Sequence, residues 1–133
     1  MSDQLEGVAL VTGGGRGIGA AIARELADAG MKVAVTGRTA EQVSAVAAEI
    51  DGLALTGDVS VGDDVERWVA TTEERLGPID LLAANAGIGV RDGATWELPV
   101  EEWWRVQEVN VLGVHLTVRS VVPLMLQRER GRI

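Results

Sequence analysis

The residues in this chain best suited to chemistry are glycines and arginines rather than an acid–base pair. Thr12-Gly-Gly-Gly-Arg-Gly-Ile-Gly19 crowds glycines around a single cation, Arg16. Glycine permits a tight turn and lets the backbone come close to a bulky anion. A loop of this kind that opens a helix also aims unpaired N–H groups and a partial positive charge at a phosphate. Gly13, Gly15, Arg16, Gly17, Ile18 and Gly19 are therefore candidate contacts for the pyrophosphate of a dinucleotide. The spacing departs from G-x-G-x-x-G, because Ile18 stands where a third glycine would follow Gly13 and Gly15; Gly15, Gly17 and Ala20 fit the G-x-G-x-x-A form. A Walker-type loop is excluded, since no Gly-Lys-Ser/Thr follows and Lys32 is the only lysine. About twenty residues further on, where a dinucleotide-binding unit meets the adenosine ribose, stand Gly37 and Arg38, with no carboxylate before Glu41. An aspartate or glutamate there would accept from both ribose hydroxyls, whereas an arginine pairs with a 2′-phosphate. Arg38, with Arg16 as a second cation, thus favours NADP(H) over NAD(H).

The elements that must place these residues can be read from hydrophobic period. Val8 to Val11 is a continuous, β-branched apolar run that ends at turn residues, as a buried parallel strand does. Helical spacing takes over after Gly17, with Ile18, Ile22, Leu26 and Ala29 on one face. Gly30 stops that helix, and Lys32 to Thr36 reads as a second strand. A helix from Ala40 to Ile50 follows, capped by Thr39 with Gln42 as its capping-box partner. Leu53 to Thr56 is a third strand, Val61 to Leu76 a third helix, and Ile79 to Ala84 a fourth strand that delivers Asn85-Ala86-Gly87. Alternating β and α with short connections means a doubly wound α/β fold, a parallel sheet with helices on both faces, here in strand order 3-2-1-4. Residues 88–99 read as a loop. A single long helix is expected from Val100 to Gln127, apolar on more than one face and bent at Pro123. One face would pack on the sheet; the other invites a second copy of the chain, so a homo-oligomer is expected. Gly131-Arg132-Ile133 reads as the start of a fifth strand.

Composition narrows the function classes. The 133 residues suffice for one domain with a real core. A net charge of −8 argues against nucleic acid or an anionic membrane surface as partner, since both need a basic footprint. Glu108, Asn110, His115 and Arg119 interrupt the long apolar run, which is therefore not read as membrane-spanning. Met1-Ser-Asp-Gln-Leu-Glu lacks the regions of a signal peptide. Without cysteine there is no disulfide framework or thiolate metal site, which is compatible with the cytoplasm, and the lone His115 has no second histidine with which to bind a metal.

Taken together, Thr12 to Gly19, Gly57-Asp58-Val59, Asn85-Ala86-Gly87, and Asn110 within Val109-Asn-Val-Leu-Gly113 resemble the short-chain dehydrogenase/reductase family over the whole chain. The resemblance implies an oxidoreductase that moves a hydride between NADP(H) and a small carbonyl or alcohol substrate, on a Rossmann-type fold. It implies that Gly13, Gly17 and Gly19 form the phosphate turn, that Asp58 and Val59 hold the adenine, and that Asn85, Ala86 and Gly87 line the cofactor. Asn110 would belong to the catalytic group, linked through water to a proton relay. Read without the family, Asp58 is a helix cap and Asn85 a turn residue, whereas Asn110, taken as buried in an apolar helix, needs hydrogen-bond partners. The family's reaction also needs a serine after a fifth strand and a Tyr-x-x-x-Lys pair on the next helix, yet this chain has no tyrosine and its lysine lies on the second strand. The expectation is a single dinucleotide-binding domain over 1–133, incomplete at its C-terminus and inactive alone. The rival expectation is a non-catalytic dinucleotide-binding or interaction module that pairs with another chain.

Overall fold

A computed structural model describes residues 4–133; Met1–Asp3, at the start of the acidic N-terminal segment, lie outside the described residues. Strands β1 (Val8–Val11), β2 (Lys32–Gly37), β3 (Leu53–Thr56) and β4 (Ile79–Ala83) form a parallel sheet in the order β3-β2-β1-β4. The expected order is the observed one. β1 is buried along its whole length because the sheet is covered on both sides. Its side chains alternate between two apolar layers. Val8 and Leu10, with Leu53 and Leu55, pack against Val65, Trp68 and Val69 of α3 (Gly62–Arg75) and against Val121 and Met125 of α5 (Gly113–Gln127). Ala9 and Val11, with Val33 and Val35, pack against Ala20 and Ala23 of α1 (Gly17–Asp28) and Val43, Val46 and Ala47 of α2 (Ala40–Glu49). Between β1 and β4 the chain switches from one face of the sheet to the other. Such a switch point leaves a crevice at the carboxyl ends of the two strands.

Three local expectations are corrected. Ile18 is not on the buried face of α1: it is 75% exposed, and small residues, Gly19, Ala20 and Ala23, make the close contacts instead. Thr39 is the N-cap of α2 by position, but its side chain makes no capping hydrogen bond; the Gln42 amide donates to the Thr39 carbonyl. The long helix is not uniform. α4 (Val100–Gln107) passes into α5 through a π-helical segment, Glu108–Leu112, while the helix runs on through Pro123. Val109, Gly113, Thr117, Val121 and Met125 face the core, while Val111, Leu112 and Val114 are exposed, as are Trp103 and Trp104 at 46% and 57%. That apolar stretch is long enough, with a mean hydropathy of 1.5, to cross a membrane by length and composition alone.

Beyond α5 the chain returns to the sheet. Arg132 bridges Leu81 in parallel, its amide donating to the Asp80 carbonyl at 2.9 Å and its carbonyl accepting from Leu82 at 3.0 Å. The expected start of a fifth strand lies beside β4.

Candidate functional site

At the switch point β1 ends in Thr12, and the turn that follows is tied to the exit of β4 rather than to itself. The Asn85 side-chain amide donates to the carbonyls of Thr12 (3.1 Å) and Gly13 (3.2 Å), and the Ala86 amide donates to the Thr12 hydroxyl (3.1 Å). A fourth hydrogen bond comes from β2, whose Thr36 carbonyl accepts from the Gly14 amide at 2.9 Å. Gly13 has φ +65°, and a Cβ there would stand 2.8 Å from the Ala86 Cα, so only glycine suits both the backbone and the space. Gly19 is pressed closer still. A Cβ on it would overlap the Gly13 carbonyl oxygen and stand 2.5 Å from the Asn85 side-chain nitrogen.

Around this turn lies a cleft of about 640 Å³. Gly13, Gly15, Arg16, Gly17, Ile18 and Gly19 line it from β1 and α1, Arg38 from the end of β2, Asp58 and Val59 from the end of β3, and Asn85, Ala86 and Gly87 from the end of β4. The structure thus brings every one of these sequence-derived candidates to one cleft. Asn110 stands just behind it. Contrary to the expectation of a buried amide, Asn110 is exposed, but both ends of its amide are engaged: its Oδ1 accepts from the Ile88 amide and its Nδ2 donates to the Ile88 carbonyl, each at 2.8 Å. The π-helical segment carries Asn110, and the amide pair ties that segment to the loop after β4.

The residues present fit a dinucleotide. Glycine backbone offers the close approach that a pyrophosphate needs, and the beginning of α1 points into the cleft. Cations are available as well: Arg16 and Arg38 make no ion pair or side-chain hydrogen bond among the described residues, whereas the exposed Arg24, Arg67 and Arg91 are each paired with a carboxylate. Thr36 also lines the cleft, and its buried hydroxyl lacks a partner. Among the described residues no group of three or more His, Asp or Glu is placed to hold a metal.

Asp58 is the cleft's carboxylate, and it is not the cap of α3, a position that Val61 fills. Its Oδ1 accepts from the Ser60 amide (2.9 Å) and hydroxyl (2.6 Å), and its Oδ2 accepts from Arg105 at 2.5 Å. Burial alone would raise its pKa, but the Ser60 hydrogen bonds and then Arg105 outweigh it and hold the carboxyl below the ordinary aspartate range. A lowered folded-state pKa adds stability that is complete above the unfolded value of about 3.9 and is lost as pH falls through the folded one. Asp58→Asn should therefore lower stability by about 1–3 kcal/mol at neutral pH, and urea titrations should show the gap narrowing as pH falls below the ordinary aspartate range. A gap that does not narrow on acidification would mean that the carboxylate's charge contributes nothing.

A sequence model of the family described as short chain dehydrogenase matches residues 7–133. The chain belongs to the short-chain dehydrogenase family. Among its relatives, a 3-oxoacyl-[acyl-carrier-protein] reductase of Synechocystis sp. is 40% identical over 132 residues, covering 95% of this chain and 53% of that protein. An NADPH-dependent pterin aldehyde reductase of Arabidopsis thaliana is 36% identical over 128 residues, covering 93% and 53%. A crystal structure of 3-ketoacyl-(acyl-carrier-protein) reductase from Brucella melitensis complexed with NADH superposes with a TM-score of 0.89 at 36% identity, covering 91% of this chain and 51% of that one. The chain spans about half the length of these relatives.

Within this short-chain dehydrogenase, sequence reasoning assigned no role to several residues that hold the cleft together, and it passed over Thr36, which faces it. Thr12 enters the sequence reading only as the first residue of the glycine stretch, with no role of its own, because it is one polar residue at the end of an apolar strand. Ile88, which also lines the cleft, holds Asn110 through backbone atoms alone, and no side-chain pattern reveals that. Arg105 is the one cation of α4, set among Glu101, Glu102 and Glu108, and its signal is visible only once α4 is seen to lie over the end of β3.

Proposed function

We propose that the complete protein is an NAD(P)-dependent oxidoreductase that prefers NADP(H) and moves a hydride between it and a small carbonyl or alcohol substrate. The cleft carries this assignment: a glycine turn clamped by Asn85 stands beside two cations, Arg16 and Arg38, that have no partner among the described residues. When bound, the nicotinamide supplies or accepts the hydride, and this chain's residues bind and orient the cofactor. Gly13, Gly15, Gly17, Ile18 and Gly19 would receive the pyrophosphate, Arg38 with Arg16 the 2′-phosphate, and Asp58 and Val59 the adenine. Asn85, Ala86 and Gly87 would line the middle of the cofactor. Asn110, held against Ile88, would place the loop after β4 and serve a proton relay through water. The relative named as NADPH-dependent supports the cofactor preference, whereas the Brucella structure holds NADH.

The 133 residues contain no tyrosine and only Lys32. We assign to them cofactor binding without turnover, with the proton-transfer groups supplied from outside this stretch. The exposed apolar side of α4 and α5 would pair with a second copy of the chain, and the lack of cysteine suits a reducing cytoplasm. Titrating the purified 133-residue polypeptide with NADPH and with NADH, and then adding carbonyl substrates, tests the assignment. Tighter NADPH binding with no hydride transfer is expected. Preference for NADH would overturn the cofactor assignment, and turnover would overturn the assignment of binding alone.

A further inference from the structure

Arg105 comes from α4, yet its guanidinium lies at the end of β3. Its Nη2 donates to Asp58 Oδ2 at 2.5 Å, and its Nη1 donates to the Ser60 hydroxyl at 2.6 Å and to Glu108 at 3.3 Å. The Ser60 hydroxyl in turn donates to Asp58 Oδ1, so the planar fork grips the carboxylate directly through one oxygen and through Ser60 at the other. Counting acceptor positions distinguishes the two oxygens. Oδ1 already accepts two hydrogen bonds, from the Ser60 amide and hydroxyl, whereas Oδ2 accepts one and keeps a position open. Asp58 lines the cleft.

We propose that Arg105 is a positioning residue for the adenosine end of the cofactor: it fixes the Asp58 carboxylate so that Oδ2 offers its open acceptor position to the exocyclic amine of adenine. This rests on the assignment of adenine to Asp58 made above. Arg105 need not touch the cofactor. A carboxylate released from the fork can rotate, and the ordering of that acceptor must then be supplied at binding.

The test compares the affinity of the natural polypeptide for NADPH and for its hypoxanthine analogue, in which a carbonyl oxygen replaces the amine. The unaltered protein should prefer NADPH by about tenfold, the worth of one hydrogen bond to a charged group. Arg105→Gln should weaken NADPH binding by roughly that factor while leaving the analogue within about twofold, so that discrimination collapses. If the unaltered protein does not discriminate, the adenine assignment of Asp58 fails, and the proposal with it. If it discriminates and Arg105→Gln discriminates equally, the proposal alone fails. Equal weakening toward both ligands would mark Arg105 as a structural brace and also overturn it. Should Arg105→Gln not fold, Ser60→Ala removes the second grip but keeps the guanidinium. Partial loss of discrimination is then expected, and undiminished discrimination overturns the proposal.

Discussion

Gly19→Ala should destabilise the protein by about 3 kcal/mol or more, at the upper end of what an overpacked interior costs. A surface helix would gain from the same exchange, because alanine is the better helix former. Here the added methyl has nowhere to go. It meets the Gly13 carbonyl oxygen, which is itself held by the Asn85 amide, and that amide crowds the same methyl. Relief by moving α1 would pull Ala20 and Ala23 out of the layer they share with Val11 and Val35. Relief by moving the turn would break both Asn85 hydrogen bonds. Urea unfolding of the natural polypeptide and of the variant decides the matter: a difference below about 1 kcal/mol would show that the clamp yields easily.

Arg38→Asp should reverse cofactor preference, cutting NADPH affinity roughly 100-fold while leaving NADH affinity equal or improved. The arginine contributes charge-assisted hydrogen bonds to a 2′-phosphate, and the aspartate would repel that phosphate yet accept from an unmodified ribose. Arg38 makes no ion pair among the described residues, so its removal leaves no carboxylate stranded and the effect on binding is direct. Parallel titrations with both cofactors measure it. Equal losses for NADPH and NADH would place Arg38 on the shared part of the cofactor instead.

The sheet was legible because its strands are buried on both faces, which writes them as unbroken apolar runs such as Val8 to Val11. The cleft was legible because glycine is the one residue whose absence of a side chain is itself a signal. Orientation was harder to read. Helical spacing placed Ile18 with Ile22 and Leu26, but Ile18, in the first turn of α1, faces the cleft and stays largely exposed. Asn110 was sound as a residue needing partners and wrong as a buried one, because its partners are the backbone atoms of Ile88, invisible to any pattern of side chains. The π-helical segment left no trace in hydropathy, since widening a helix changes its hydrogen bonds and not its composition.

The Asn85 clamp also orders events in time. Its two hydrogen bonds join groups 73 and 72 residues apart in sequence. Contacts of such separation are closed late, because the entropy of the intervening loop must be lost before they form. On a ribosome, which releases the N-terminus first, the glycine turn emerges long before the strand that locks it. A nascent chain carrying β1, β2 and β3 therefore has its glycines but not the clamp that fixes them, and under the proposed function cofactor capture would await the docking of β4 against β1.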